Sequence, residues 1–452
     1  MRQEADAARD DNAAHKAPPP RRAVISRRQA VVQSAAATLA AARGLAPALF
    51  VGCSLGIPPR AKSVTVGLLH SQTGTMAISS TSLRDIELHA FEQINAAGGI
   101  LGRRIEPRAP NPRSRPDLFV KRARQLLDDD AAAIFGCWTS VSRKAVLPLC
   151  EEYRKLLFYS VQYEGNESSK YVVYGGSVPN QQILPAIDWL MSPDGGAKKK
   201  IFLLGSDYVF PRTANFVAKK YLESKGLRPV GEVYLPLGHR DFEPAVQQLQ
   251  FSAADCVLST VNGDSNLGLF AALANAKVDP EKLPVVSTSI AEDELRSLLP
   301  HQVQGHYAAS CYFQSVDTAA NRQWVNGFRQ EFGNDRVTGD PMEPDWCLVH
   351  LWKMAVEKAG SFETEAVRQA FAEGLEFAGP GGTVRLDPKT QHCTKYFRVG
   401  RIRSDRQFDI VHSSEAPLEP EPYPQIAFPG WKCDWTAEGI TRGTEVSIDG
   451  DV

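Results

Sequence analysis

The chain has 452 residues with 51 basic and 52 acidic side chains, a formal net charge of −1, and 43% of its residues are apolar. That is enough chain for two or three domains with ordinary cores. The balanced charge argues against nucleic acid or an anionic membrane surface as a partner. The eight cysteines (53, 137, 150, 256, 311, 347, 393 and 433) form no CxxC pair and no metal-ligand spacing, and most lie in apolar runs, which reads as buried free thiols, with a disulfide as the alternative in an exported protein.

Residues 1–62 read as a disordered leader and export signal. An Ala-, Asp- and Pro-rich start is followed by the pairs Arg21-Arg22 and Arg27-Arg28, and then by an Ala/Leu-rich segment. This is similar to a twin-arginine signal peptide, and FVGC ending at Cys53 is similar to a lipoprotein cleavage box. After this leader no run of 18 apolar residues occurs.

From residue 64 the chain alternates strand and helix. VTVGLL predicts a strand, and Ser71, Thr73, Gly74, Thr75, Ser79 and Ser80 make a hydroxyl-rich loop. Ser82 with Asp85 fits a capping box for a helix that Gly98-Gly99 stops. The strand at 131–135 leads into GCWTSVSRK, and LLFYSV at 156–161 leads into QYEG. A cap for the helix from Val141 is the alternative role of Ser140, and Pro211 is expected at a first helical position. Further αβ units follow through 201–205, 230–235, 256–260 and 285–289. So many units imply an α/β fold with doubly wound, mostly parallel sheets. One sheet of that many strands is unusual, which predicts two lobes with three crossovers at 178–181, 306–309 and 377–382. The expected division is 63–179 plus 307–376 for lobe I, 180–306 plus 377–412 for lobe II, and a Pro-rich C-terminal arm at 413–452.

The strings LLHSQTGTMAISSTSL, INAAGGILG, FGCWTSVSRKAVLP, QYEG, GSDYVFPRTAN, NGDSN, SIAEDELR and DPMEP occur in that order. Through them the chain resembles the type 1 periplasmic solute-binding proteins, specifically their urea and short-chain amide branch. The resemblance implies hinge closure on a small solute and delivery to the membrane subunits of an ABC importer, with no cofactor and no metal. The alternative is a related amide sensor that controls a transcription antiterminator. A branched-chain amino acid receptor is a further reading. Carried over position by position, the ligand contacts are Trp138, Thr139 and Ser140 after the second strand, with Ser140 foremost, then Tyr159, Val161 and Gln162 after the next. Lobe II would add Tyr208, Asp264 and Ser289, and the first loop Thr75 and Ser79. Glu292 is expected to cap a helix. The chain departs from the branch at Ser160, commonly Pro there, and at the Pro/Arg-rich stretch 109–116. No GxSxG, HExxH or P-loop occurs, and the chain is read as a receptor and not an enzyme.

Overall fold

The computed structural model describes residues 63–436 and 439–441. The arginine pairs, Cys53 and the rest of the leader lie outside the described residues, as does the tail beyond Thr441. The first lobe opens with β1 (Val64–Leu69), α1 (Ala77–Ala96), β2 (Ile105–Arg108), α2 (Pro116–Asp128), β3 (Ala133–Gly136), α3 (Ser140–Tyr153), β4 (Leu156–Tyr159) and β5 (Val172–Tyr174). These strands form one parallel sheet in the order β2-β1-β3-β4-β5. Helices cover both faces of such a sheet, so its strands are continuous apolar runs. AIFG, LLFY and VVY are buried at every position.

A 3-10 turn at Pro179–Gln181 carries the chain into the second lobe. There follow α4 (Ile183–Met191), β6 (Ile201–Ser206), α5 (Val209–Ser224), β7 (Gly231–Leu235), α6 (Glu243–Phe251) and β8 (Cys256–Thr260). The lobe continues with α7 (Ser265–Asn275), β9 (Val285–Ser287), α8 (Glu292–Leu295), α9 (Pro300–Val303) and β10 (Tyr307–Ser310). The chain then returns to lobe I for α10 (Ala319–Phe332), α11 (Met342–Ala359), α12 (Thr364–Ala372) and the hairpin of β11 (Leu375–Gly379) and β12 (Gly382–Leu386). Finally β13 (Arg398–Ile402) and β14 (Phe408–Ser413) complete the second sheet, β14-β13-β10-β9-β8-β6-β7, as its antiparallel edge. The core of lobe I is built on α11. Phe135 and Phe158 stack at 4.6 Å, and Trp352 meets Phe135 edge-on at 5.7 Å.

Several sequence expectations shift. Strand β10 pairs with β9, so lobe II runs through Ser310 and the crossing comes after 306–309. Cys311 and Tyr312 already pack in the first core. FAGPGG is a tight turn joining β11 to β12, which pack with α11, and the third crossing falls between Cys393 of the first core and Phe397 of the second. Helix α1 starts at Ala77, so Ser82 lies inside it and is no cap. Asp85 instead pairs with Arg84 and Arg336. Helix α5 starts at Val209, which makes Pro211 its third residue. The glycine stop holds: Gly98 and Gly99 have φ of +108° and +77°, which other residues rarely adopt. Seven cysteines are buried free thiols, and Cys53 lies outside the described residues.

The arm after β14 lies along both lobes. Asn166 of lobe I donates its N–H to the Pro422 carbonyl at 2.7 Å, while Tyr423 and Phe428 pack against Val217 of α5.

Candidate functional site

In each sheet the strand order reverses once, at β1/β3 and at β6/β8, and such a reversal opens a crevice beyond the strands' carboxyl ends. The two crevices face each other. Between them lies a cavity of about 240 Å³ lined by Ser71, Met76 and Phe119 from the first crevice, Trp138 and Thr139 after β3, and Tyr208 and Leu237 from lobe II. On the other side of Trp138 a space of about 10 Å³ is lined by Gln162, Ser289, Glu294 and Asp340. That is about room for one water. No lysine or arginine lines either space.

Trp138 stands between the two spaces. Its indole N–H is buried and has no hydrogen-bond partner. Burying a donor unpaired costs ~1–3 kcal/mol, a cost that an acceptor brought to this N–H would recover. Tyr208 faces the same cavity, and burial pushes its phenol well above the ordinary range, with Tyr159 and Glu164 adding to the rise. Both groups are therefore neutral hydrogen-bonding groups at physiological pH.

Thr139, not Ser140, caps α3, accepting the Ser142 N–H at 3.1 Å. Ser140 is the first helical residue and its hydroxyl points into a buried ionic cluster. It donates to Glu164 at 2.5 Å and accepts from Arg143 at 3.1 Å. The Arg143 guanidinium, fully buried, also reaches Glu164 at 3.1 Å and Glu167 at 2.7 Å. It lies over the rings of Tyr159 and Tyr163 at 4.7 and 4.5 Å. A buried guanidinium is tolerable only when paired this fully. Burial raises the Glu167 carboxyl, but Arg143 and Lys144 outweigh it and bring it down to about 2. The cluster thus neutralises Arg143 beside the site, and it holds Ser140 away from the cavity.

The remaining expected residues fall into two groups. Tyr159 donates its hydroxyl to the Trp138 carbonyl at 2.8 Å, which orients the tryptophan loop, and Val161 is buried behind it. Gln162, Ser289, Thr75, Asp264 and Ser79 join the lobes. Gln162 Nε2 donates to Ser289 Oγ at 2.7 Å and to the Thr288 carbonyl at 3.0 Å. Asp264 donates its backbone N–H to the Thr75 carbonyl at 3.3 Å, and its carboxylate pairs with Arg240. Ser79 of α1 lies beside Glu294 of α8. Glu292 is not a helix cap; it accepts the Gln314 N–H at 2.7 Å. Sequence reasoning passed over Met76, Phe119 and Leu237, because isolated apolar residues in loops look like ordinary core, and over Glu164, whose partner Arg143 lies on a different element.

A family model described as "Periplasmic binding protein domain" matches residues 64–428. Among solved structures, the chain is similar to a solute-binding protein of an ABC transporter from Rhodopseudomonas palustris BisB5 in complex with 3,4-dihydroxybenzoic acid. The TM-score is 0.71 at 20% identity, over 79% of this chain and 99% of that one. It is also similar to a branched-chain amino acid transporter substrate-binding protein from Streptococcus pneumoniae in complex with isoleucine. There the TM-score is 0.69 at 17% identity, over 79% and 100% of the chains. At such identities these likenesses concern the fold. A Leu/Ile/Val-binding protein homolog 6 from Brucella melitensis is 24% identical over 204 residues, 45% of this chain and 52% of that protein. A Geobacillus stearothermophilus protein named limonene hydroxylase is 31% identical over 118 residues, 26% of this chain and 21% of that protein. The matches thus span about half and about a fifth of these relatives.

Proposed function

From the chain's membership in the periplasmic binding protein domain family, we propose that it is the extracytoplasmic receptor of an ABC importer and that its solute is uncharged: urea or a short-chain amide. The observation that carries the choice of solute is the charge of the cleft. Its lining offers hydroxyls, an unpartnered indole N–H and apolar walls, and the nearby guanidinium of Arg143 is taken by Glu164 and Glu167. A carboxylate ligand needs charge-assisted donors to offset its desolvation. An amide needs one donor for its carbonyl and acceptors for its N–H groups, which Trp138, Tyr208 and the lining hydroxyls would supply.

Within this class the volume favours an amide with a hydrocarbon part. A cavity of 150 Å³ holds benzene, so about 240 Å³ exceeds what urea fills. Met76, Phe119 and Leu237 would receive the acyl chain. The same volume supports a second reading, an aromatic solute, of the kind bound by the Rhodopseudomonas protein.

Trp138→Phe tests the reading, because it removes the N–H and keeps an aromatic ring. Thermal shift with urea, formamide, acetamide, butyramide, benzoate and leucine should show amide responses that the variant weakens about three- to tenfold, as one hydrogen bond of ~0.5–1.5 kcal/mol predicts. A response to leucine or benzoate with none to any amide would overturn it. Export by the paired arginines and acylation of Cys53 belong to the same proposal; the antiterminator sensor would have neither.

A further inference from the structure

Beneath the cleft, in the core of lobe I, three side chains from separate elements converge. His70 follows β1, Glu87 lies on α1 and Asp345 on α11. All three side chains are fully buried. His70 Nε2 is 2.8 Å from Glu87 Oε1 and 3.9 Å from Asp345 Oδ2, and the three donor atoms lie within 4.8 Å of one another.

The hydrogen bonding of this group is incomplete. Glu87 and Asp345 lie close enough to shift each other's carboxyls, yet both oxygens of Asp345, Glu87 Oε2 and His70 Nδ1 close no hydrogen bond of good geometry. A fourth group adds an independent sign. Ser160, 1% exposed, turns its hydroxyl toward Asp345, near enough to lower that carboxyl's value but without a hydrogen bond of good geometry. Buried polar atoms left unpaired in such number at one point are costly, and a shared ligand at their centre would satisfy them together. The neighbouring arginines do not, because Arg84 and Arg336 are both engaged with Asp85.

We propose that His70, Glu87 and Asp345 hold a divalent transition-metal cation of the zinc type, with the Ser160 hydroxyl as a fourth donor. An imidazole nitrogen beside two carboxylates suits Zn²⁺ and disfavours Mg²⁺ and Ca²⁺, which take oxygen ligands. Donor atoms around a tetrahedral Zn²⁺ with bonds of about 2.0–2.1 Å stand about 3.3 Å apart. The 2.8 and 3.9 Å separations from His70 Nε2 bracket that value. The cation would also offset two buried carboxylates.

The site touches no solute, yet it supports the cleft floor. His70 precedes Ser71, which lines the cavity, and Ser160 lies between Tyr159 and Val161. The cation would pin the ends of β1 and β4 to α1 and α11.

The test uses the full chain expressed in zinc-supplemented medium and purified without chelator, with metal measured by mass spectrometry. The expected result is one equivalent of Zn²⁺ per chain and a melting temperature several degrees above that of protein refolded in EDTA. Asp345→Asn and Glu87→Gln keep side-chain shape and should bring bound zinc close to zero. Co²⁺ loaded by refolding of the parent should give the visible absorption of a tetrahedral nitrogen/oxygen site. Parent protein that holds no zinc after refolding with Zn²⁺, and melts the same with and without it, would overturn the proposal in favour of a triad sharing protons. Undiminished zinc in both variants would overturn it as well, by placing the metal elsewhere.

Discussion

Gln162 of lobe I donates a 2.7 Å hydrogen bond to Ser289 of lobe II, beside the space behind Trp138. The same amide nitrogen reaches the Thr288 carbonyl, so one side chain fastens two points of the opposite lobe. Each bond is worth ~0.5–1.5 kcal/mol net. Gln162→Ala should therefore shift the lobes toward an open form and weaken solute binding about tenfold, by slowing or disfavouring closure. Small-angle scattering should show a larger radius of gyration for the variant without solute. An unchanged radius and unchanged affinity would count against a latch role.

Ser140 behaves differently from what its place in the motif suggests. Its hydroxyl serves Glu164 and Arg143 inside the lobe. Ser140→Ala leaves a buried charge pair short of a partner, a loss of ~1–3 kcal/mol. The expected outcome is a melting temperature lowered by a few degrees, with solute affinity changed less than by Trp138→Phe. A Ser140→Ala protein that melts like the parent but binds solute tenfold more weakly would restore the direct-contact role.

Closure should depend on pH through α8. Burial raises the Glu292 carboxyl to about 8 and Glu294 to about 7, with the neighbouring Asp293 adding to the rise of both. Glu294 faces Ser79 of α1, while Asp293 faces Ser82, Arg336, Arg296 and Asp85. An acid whose value is raised in the closed fold binds protons more tightly there than when hydrated. Its stabilising contribution is full below about pH 4.5, the ordinary value, and is lost as pH rises through 7–8. The closed population and the melting temperature should fall from pH 5.5 to 8.5, with an effect of a few kcal/mol at most. Glu294→Gln should flatten part of that slope; an equal slope in the variant would show that α8 is not its source.

Export is testable without the structure. Lysines in place of both Arg27 and Arg28 should leave unprocessed precursor in the cytoplasm. Unchanged recovery outside the cytoplasm would remove the twin-arginine assignment.

Much of the fold was legible because buried parallel strands are short apolar runs between helical periods. The crossovers were harder. β10 is only YAAS, which reads as a linker until β9 and β13 pair with it. FAGPGG has the composition of a hinge, yet the register of its flanking residues makes it a hairpin turn. At the site, the loops were legible from their motifs and the roles within them were not. Ser140 opens α3 while Glu164 lies in the loop after β4, and His70, Glu87 and Asp345 come from three separate elements, so no spacing announces either group.

The central claim is that the cleft selects an uncharged amide, and isosteric pairs test it most directly. Acetamide and acetate have the same size and differ in charge, as do benzamide and benzoate. Titration calorimetry at pH 7 should give acetamide a dissociation constant on the order of tens of micromolar, the ceiling for four heavy atoms. Acetate should bind at least a hundredfold more weakly, because its buried charge finds no cation to pair with. Benzamide should likewise exceed benzoate if the cavity accepts an aromatic ring. Acetate or benzoate binding as tightly as its amide would contradict the account.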